Sequence, residues 1–242
     1  MGLRENIETV RASLDAAARA AGRDPASVTL LAATKTQTSD TIRAAIAAGI
    51  TVCGENRVQE LTAHLDDNAY EGAEVHFIGH LQTNKVKYVV GRVELIHSVS
   101  SEKLLLAIDA QAGKLNLVQD ILLEVNLAGE ESKSGFSPRE AVEAAEKAAA
   151  LGHVRLRGLM CIPPISTHAG ENFQYFEALR QLAVDIRQKM VDNIMDVLSM
   201  GMSGDWQDAV AAGSTCIRVG SALFGPRPPV SRKDQLKGDP FT

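Results

Sequence analysis

The chain has 242 residues, of which 45% are hydrophobic and 23% charged, and its formal net charge at pH 7 is −5. These proportions are typical of a soluble globular protein. The scattered lysines and arginines argue against a nucleic-acid partner, which needs a clustered basic face. Because the sequence shows neither an apolar secretory core nor a stretch long enough to span a membrane, we expect a cytoplasmic protein without membrane contact.

The first predicted element is a helix over residues 3–21, in which apolar residues recur at helical spacing before a natural stop at Gly22. From residue 28 onward, strand-like apolar runs alternate with helical stretches rich in Ala, Leu, Glu, Lys and Gln. The eight runs are VTLLAATK, ITVCGEN, EVHFIGH, ELIHSVS, DILLEVN, RLRGLMCI, DVLSMGM and CIRVGSALFG. A serine marks three helix starts, at Ser39, Ser137 and Ser203, and the second has Pro138 and a Glu140 capping box.

Eight strand–helix units with near-continuous apolar strands indicate a parallel sheet that is covered on both faces. A chain near the usual size of about 250 residues favours a closed (β/α)₈ TIM barrel with an extra N-terminal helix, and an open doubly wound sheet is the alternative. We predict a single domain over residues 1–242, with its core at about 28–225. A loosely held, Pro-rich tail is expected over 226–242.

Three cysteines, Cys53, Cys161 and Cys216, lie far apart in apolar, strand-like segments. An odd number of widely spaced cysteines suggests neither a disulfide framework nor a zinc site. We therefore expect buried free thiols in a reducing compartment, and we assign no metal ligands.

Polar residues and glycines gather where the predicted strands end, which is where barrel proteins build their ligand sites. The first five strands contribute Lys35, Glu55, Asn56, His80 and Asn126 at these ends. The loops after the seventh and eighth strands, residues 199–204 and 218–225, are where this fold often holds a phosphate. There the Ser203 hydroxyl and the Gly220 and Ser221 amides are the expected phosphate donors.

A phosphate site opposite Lys35 indicates a lysine that forms an imine with a carbonyl compound. The partner could be a sugar phosphate, as in a lysine-dependent aldolase, or pyridoxal 5′-phosphate. Arg218 shares a strand face with Gly220 and could reach a ring nitrogen, which it would keep unprotonated because a guanidinium only donates hydrogen bonds. A hydrolase triad built on Ser203 and His80 lacks an evident third member.

Several motifs in one order resemble the pyridoxal phosphate homeostasis proteins, the YggS/PROSC family: ATK, GENRVQE, HFIGHLQTNK, SKSGF, LRGLM and LSMGMSGDWQDAVAAGSTCIRVGSALFG. The resemblance runs from about residue 28 to 225 and implies a barrel similar to fold type III pyridoxal phosphate proteins and to the N-terminal domain of alanine racemase. It implies a pyridoxal phosphate imine on Lys35. Together with the strand ends it predicts cofactor contacts at Lys35, Asn56, His80, Ser199, Met200, Gly201, Ser203, Arg218, Gly220 and Ser221.

The sequence departs from the family pattern after Lys35, where a second lysine is common and Gln37 stands here. Any auxiliary role of that lysine in cofactor transfer is therefore in doubt. Lys133, in SKSG, matches a family lysine near the mouth of the site.

The resemblance implies a protein of vitamin B6 and amino-acid homeostasis that stores, buffers or delivers pyridoxal phosphate and is not a robust catalyst. Apo-enzymes that use this cofactor are its expected recipients, and a monomer is expected. The alternative is a racemase of the alanine racemase type, with His80 or another residue at the mouth as its second base. That alternative lacks support because the chain leaves no room for an added β-domain after Gly225, and the three tyrosines are expected away from the strand ends.

Overall fold

A computed structural model of the protein describes residues 2–130, 133–165, 168–190 and 195–225. The predicted tail over 226–242 lies outside the described residues. Eight parallel strands close into a barrel in sequence order, with β8 pairing back onto β1. The strands are β1 (Thr29–Ala33), β2 (Val52–Glu55), β3 (Glu74–Phe77), β4 (Leu95–Val99), β5 (Gln119–Glu124), β6 (Val154–Met160), β7 (Val197–Met202) and β8 (Cys216–Val219). The predicted TIM barrel is confirmed, and the open sheet is excluded.

Helices follow most of the strands and cover the barrel. They are α1 (Leu3–Ala20), α2 (Ser39–Ala47), α3 (Val58–Asp66), α4 (Glu102–Lys114), α5 (Pro138–Ala149), α6 (Phe173–Lys189), α7 (Trp206–Ala211) and α8 (Ser221–Phe224). The connection from β3 to β4 differs from the expected α-helix, because it forms a 3₁₀ helix over Thr83–Tyr88. Four of its six residues, Thr83, Asn84, Val86 and Tyr88, have low α-helix propensity, which disfavours an α-helix here.

The three predicted helix starts have different outcomes. Ser137 caps α5 as predicted, since its hydroxyl accepts from the Glu140 amide at 3.3 Å while the Glu140 carboxylate accepts from the Ser137 amide at 2.8 Å. α2 begins at Ser39 as predicted, and its cap is Thr38, whose hydroxyl accepts from the Thr41 amide at 3.2 Å. Ser203 is not the cap of α7, because that helix begins after Asp205.

The main hydrophobic core fills the layer between the barrel and its helices, and two smaller apolar clusters lie inside the barrel. Alternate residues of each strand face these two regions. On β8, for example, Ile217 and Val219 belong to the outer core and Cys216 to an inner cluster. Arg218 therefore has the inward parity of Cys216, which directs its side chain into the barrel.

The cysteine expectation is confirmed for burial and for the free thiol state. Cys53, Cys161 and Cys216 are buried free cysteines, and burial raises the pKa of the Cys53 and Cys161 thiols to about 12. A thiol with so high a pKa is almost entirely protonated at neutral pH and is a poor nucleophile.

The extra N-terminal helix α1 supports the last short helix of the barrel. It packs against α7 and α8, and the Asn6 side-chain amide donates to the carbonyl of Leu223 at 2.9 Å. Because α8 begins at the C-terminal end of β8, this contact fixes a segment that borders the mouth of the barrel.

Candidate functional site

A cavity of about 300 Å³ opens at the C-terminal end of the barrel, beside the ends of β1, β7 and β8. Its wall combines polar groups and glycines with apolar side chains such as Ile78, Ile162 and Phe224. The polar and glycine part of the wall is Lys35, Thr36, Gln37, Asn56, Ser203, Gly204, Arg218, Gly220, Ser221 and Gly225. Six of the ten predicted cofactor contacts therefore line one cavity.

Lys35 lies in the turn that follows β1, and its side chain is half-buried at the cavity wall. The turn has an uncommon backbone, because Thr36 adopts a positive φ of 66°. The Glu60 carboxylate accepts from the Thr36 amide at 3.0 Å, and the Gln37 amide donates to the Thr34 carbonyl at 3.0 Å. These contacts hold the turn and so restrict where Lys35 can place its amine.

A buried carboxylate lies behind the same turn, at a strand end that the sequence identifies but outside the predicted cofactor contacts. Glu55, at the end of β2, is fully buried and accepts from the Thr34 hydroxyl at 2.6 Å and from the Tyr70 hydroxyl at 2.8 Å. His64 Nδ1 lies 3.2 Å from the same carboxylate oxygen, and this hydrogen bond raises the pKa of His64. The Tyr70 hydroxyl thus reaches a strand end, which corrects the expectation for this one of the three tyrosines.

Arg218 is the most deeply buried cation at the site, with 5% of the residue exposed. Its guanidinium donates to neutral oxygens: to the carbonyl of Ser199 at 2.7 Å, to the Ser199 hydroxyl at 2.6 Å and to the carbonyl of Cys161 at 2.9 Å. In the described part of the chain no carboxylate pairs with it, and burial lowers its pKa. A buried charge of this kind calls for a further hydrogen-bond acceptor, and the cavity is where one can bind.

A column of polar side chains continues from Arg218 through the barrel interior. The Ser199 hydroxyl lies 2.8 Å from His97 Nδ1, and His97 Nε2 lies 3.0 Å from His76 Nδ1. Burial lowers the pKa of His76 to about 4 and that of His97 well below its ordinary value, so both rings are neutral at pH 7. Both histidines lie in strands that are otherwise largely apolar. A histidine in such a strand is the feature of the sequence that could have predicted a polar group inside the barrel.

The predicted phosphate donors lie together. The Gly220 amide donates to the Ser203 hydroxyl at 3.4 Å, and the first amides of α8 have no acceptor within their own helix. Gly220 has an ordinary φ of −119°, and a Cβ built there would come no closer than 3.5 Å to the Ala33 carbonyl. The fold itself therefore does not require glycine at 220, whereas a ligand that approaches the backbone would.

Four predicted contacts do not line this cavity. Ser199 points into the barrel and contacts Arg218, and Met200 is fully buried in the outer core. Gly201 has a φ of +95°, and its Cβ would lie 2.6 Å from that of Ala209, so local packing explains this glycine. His80 is exposed in a neighbouring cavity, where its Nδ1 lies 3.2 Å from the Ser134 hydroxyl.

A register shift explains why the seventh strand differs from the prediction. β7 pairs with β8 at Ser199 and again at Met202, with an irregularity between the two pairs. Met202, Ser203 and Gly204 consequently reach the cavity wall, whereas Met200 and Gly201 do not.

A larger cavity, of about 780 Å³, lies at the opposite, N-terminal end of the barrel. Several of its charged residues form ion pairs with one another. Arg155 and Arg157 both donate to the Asp120 carboxylate, and Arg157 also donates to Asp196. Barrel proteins bind their ligands at the C-terminal end, so we place the functional site at the smaller cavity.

Neither a metal centre nor a membrane-spanning helix is found among the described residues. No group of three or more His, Cys, Asp or Glu residues within the described ranges is arranged to hold a metal ion. In the same ranges, no helix is both long and apolar enough to cross a membrane.

The fold and a family profile together define the class of protein, a barrel of the alanine racemase N-terminal-domain type. A protein-family profile described as "Alanine racemase, N-terminal domain" matches residues 3–228. An alanine racemase from Clostridium difficile has a TM-score of 0.70 at 13% identity over 96% of this chain and 59% of that chain, which shows a shared fold.

Nearer relatives are similar over their whole length. The pyridoxal phosphate homeostasis protein of Aquifex aeolicus is 41% identical over 223 residues, which cover 92% of this chain and 97% of the relative. PipY of Synechococcus elongatus PCC7942, solved with pyridoxal phosphate bound, has a TM-score of 0.82 at 35% identity over 93% of this chain and 100% of PipY. The chain therefore belongs to the alanine racemase N-terminal-domain family and, within it, to the pyridoxal phosphate homeostasis proteins, as its motifs predict.

Proposed function

We propose that the protein binds pyridoxal 5′-phosphate at the cavity beside Lys35 and serves intracellular homeostasis of this cofactor. The observation that carries the proposal is that three groups face one cavity: a lysine amine, a buried guanidinium with no carboxylate partner among the described residues, and a glycine that the fold does not require. The bound cofactor of PipY and the shared name of the curated relatives support the same function.

Each polar group of the cavity suits one part of the cofactor. The Lys35 amine binds the aldehyde carbon covalently, with loss of the carbonyl oxygen as water. The Gly220 and Ser221 amides and the Ser203 hydroxyl would bind the phosphate, and Asn56, in the same wall, would contact the ring. Arg218 donates to the ring nitrogen, which supplies the acceptor that its buried charge lacks.

The protein holds the cofactor without using it for rapid catalysis. When bound, pyridoxal phosphate supplies an electron sink, and this sink is weaker if the ring nitrogen stays unprotonated beside Arg218. Among the described residues that line the cavity there is no carboxylate, histidine or tyrosine, so Lys35 is the one evident proton acceptor there. We further propose that the protein acts as a cytoplasmic monomer and that apo-enzymes which need the cofactor are its recipients.

A racemase of the alanine racemase type is the second candidate function, because one observation favours it. The adjoining cavity contains His80 and the buried carboxylate of Glu124, and either could serve as a second base for a substrate bound there. This function requires that the cofactor-loaded protein turn over amino acids at an enzymatic rate.

The test of cofactor binding combines titration with chemical mapping. The purified protein is titrated with pyridoxal phosphate and followed by absorption, then reduced with borohydride and mapped by peptide mass spectrometry. We expect a yellow species and a reduced adduct on Lys35, and neither in Lys35→Ala. Lys133→Ala is the matched control, because Lys133 lies in the neighbouring cavity and should leave the Lys35 adduct unchanged. An adduct on Lys133 or Lys85 of the wild-type protein, with Lys35 unmodified, would overturn the assignment.

A further inference from the structure

Two histidines occupy inward positions on neighbouring strands of the barrel. His76 lies on β3 between Val75 and Phe77, which both belong to the outer core, so its side chain has inward parity. His97 lies on β4 two residues after Leu95, a member of an inner cluster, and it is fully buried. Imidazole rings are uncommon in such an interior, and the function proposed above assigns no role to either of them.

The hydrogen bonds of these rings run in one direction, which begins at Arg218. A guanidinium can only donate, so the Ser199 oxygen accepts from Arg218 Nη1 at 2.6 Å, and the Ser199 hydroxyl donates to His97 Nδ1 at 2.8 Å. His97 then carries its hydrogen on Nε2 and donates it to His76 Nδ1 at 3.0 Å. By the same reasoning, His76 carries its own hydrogen on Nε2. We call these four residues the interior column.

The interior column ends at the N-terminal end of the barrel, opposite the cofactor cavity. His76 lines the large cavity there, and its Nε2 lies 3.5 Å from a carboxylate oxygen of Glu74, whose side chain is 63% exposed. The column therefore crosses the barrel interior. The acceptor that holds Arg218 at one end depends on a ring at the other end.

The acceptors of the interior column are neutral, and this matters for Arg218. A carboxylate in the place of Ser199 would hold the guanidinium and would also neutralise its charge. A hydroxyl and two imidazoles bring no negative charge, and burial lowers the pKa of both rings so that they stay neutral. Each hydrogen bond of such a chain polarises the next one, which makes the Ser199 oxygen a stronger acceptor. Arg218 is thus held in one direction while its positive charge remains available to the cavity.

We propose that His76 and His97 are positioning residues, which act through Ser199 to present the Arg218 guanidinium to the ring nitrogen of pyridoxal phosphate. The identity of that acceptor rests on the function proposed above, whereas the hold on Arg218 exists without cofactor. Loss of the His76 acceptor would leave the His97 Nε2 hydrogen buried without a partner. A His97 ring that moves this hydrogen to Nδ1 can no longer accept from Ser199. A change at the far end of the barrel should therefore reach the cofactor cavity.

Three variants separate the acceptor from the bulk of the ring. His76→Leu removes the acceptor at a similar size. His76→Asn is the conservative variant, because its side-chain oxygen can take the place of Nδ1. The control is His153→Leu, since His153 is half-buried, packs against Gly113 and lies outside the interior column. If His76→Leu does not fold, His76→Ile replaces it, because a β-branched residue suits a strand.

The first measurement uses the full-length protein without cofactor and follows the guanidinium nitrogens of Arg218 by NMR. In the wild type, the hydrogen bonds of Arg218 should prevent rotation of the guanidinium and give its two Nη groups separate signals. We expect these signals to exchange faster in His76→Leu and to stay separate in His76→Asn and His153→Leu. Equal exchange in the wild type and His76→Leu would overturn the proposal. Equally fast exchange in His76→Asn and His76→Leu would also overturn it, because the acceptor would then not be what holds Arg218.

The second measurement is titration of the same proteins with pyridoxal phosphate, followed by absorption. We expect His76→Leu to bind about fivefold more weakly than the wild type, which corresponds to one hydrogen bond of average strength. His76→Asn and His153→Leu should bind as the wild type does. Wild-type affinity in a His76→Leu variant with a rotating guanidinium would overturn the link to the cofactor. Absence of cofactor binding by the wild type would overturn the proposed function, and the guanidinium signals would still decide whether the interior column holds Arg218.

Discussion

The guanidinium of Arg218 donates from Nη1 to both the hydroxyl and the carbonyl oxygen of Ser199, at 2.6 and 2.7 Å. Because a guanidinium has no acceptor, the Ser199 oxygen must accept this bond, and its own hydrogen is left for His97 Nδ1 at 2.8 Å. Ser199 therefore fixes the tautomer of His97 as well as the direction of Arg218. It acts on the cofactor site as a positioning residue, without lining the cavity.

Removing the Ser199 hydroxyl should weaken the fold itself. In Ser199→Ala, Arg218 loses one acceptor and His97 loses its donor, so we expect the free energy of unfolding to fall by about 1.5–3 kcal/mol, the scale of a hydrogen bond to a charged group. Urea unfolding without cofactor measures this change. A variant as stable as the wild type would show that the hydroxyl contributes nothing to holding Arg218.

Ser203→Ala is the matched comparison on the same strand end. Its hydroxyl borders the cavity and accepts one long bond, from the Gly220 amide at 3.4 Å. We expect stability within about 0.5 kcal/mol of the wild type and cofactor binding weaker by roughly 1–2 kcal/mol. Cofactor affinity, measured by absorption titration, would remain unchanged if the hydroxyl did not contact the phosphate.

Gly220→Ala tests the phosphate contact from the backbone side. The added methyl group meets only ordinary contacts in the protein, so stability without cofactor should be unchanged. A phosphate held at the Gly220 amide would meet that methyl, and we expect binding to weaken by about 1–3 kcal/mol, the usual scale of overpacking. Gly201→Ala is the control with the opposite pattern, since its positive φ and the nearby Ala209 make it destabilising even without cofactor. Equal cofactor affinity of Gly220→Ala and the wild type would contradict this placement of the phosphate.

Much of this site could be predicted because strand ends and strand parity are visible in the sequence. The strand ends predict Lys35 and Gly220 as site residues, and strand parity predicts that Arg218 shares a face with Gly220. Ser199 and His97 are 102 residues apart, and only the closed barrel brings them together. The irregular pairing of β7 with β8 could not be predicted either, because strand register depends on tertiary contacts.

The hydrogen bond between His64 and the buried Glu55 carboxylate behind Lys35 should make stability depend on pH. The hydrogen bond to Glu55 raises the pKa of His64 above its ordinary value of about 6.5. Protonated His64 therefore stabilises the folded state fully below pH of about 6.5, and this stabilisation is lost as the pH rises through the higher folded-state pKa.

Urea unfolding on both sides of pH of about 6.5 checks this expectation in the wild type and in His64→Gln, which cannot titrate. The wild type should lose stability with rising pH over this window, and the variant should lose less. Identical pH profiles of the two proteins would show that His64 is not protonated in the folded state.

The last prediction concerns turnover of amino acids by the cofactor-loaded protein. Racemisation needs a proton acceptor on one face of the substrate carbon and a donor on the other. The described wall of the cofactor cavity offers only Lys35 as an evident acceptor, and Tyr70 is engaged by Glu55 outside that wall. One well-placed acid or base typically contributes about a hundred- to ten-thousand-fold in rate, so a missing partner leaves very slow turnover. If Arg218 donates to the ring nitrogen, as proposed above, that nitrogen stays unprotonated and the rate falls further.

The assay incubates the cofactor-loaded protein with single L-amino acids and follows D-isomers and keto acids by chiral chromatography. We expect rates far below the usual enzymatic range of about 1–1000 s⁻¹. Glu124→Gln and His80→Gln are assayed in parallel, because these residues of the adjoining cavity are the remaining sources of a second base. Turnover within the enzymatic range that either variant abolishes would replace the carrier function with the racemase, and would identify the second base.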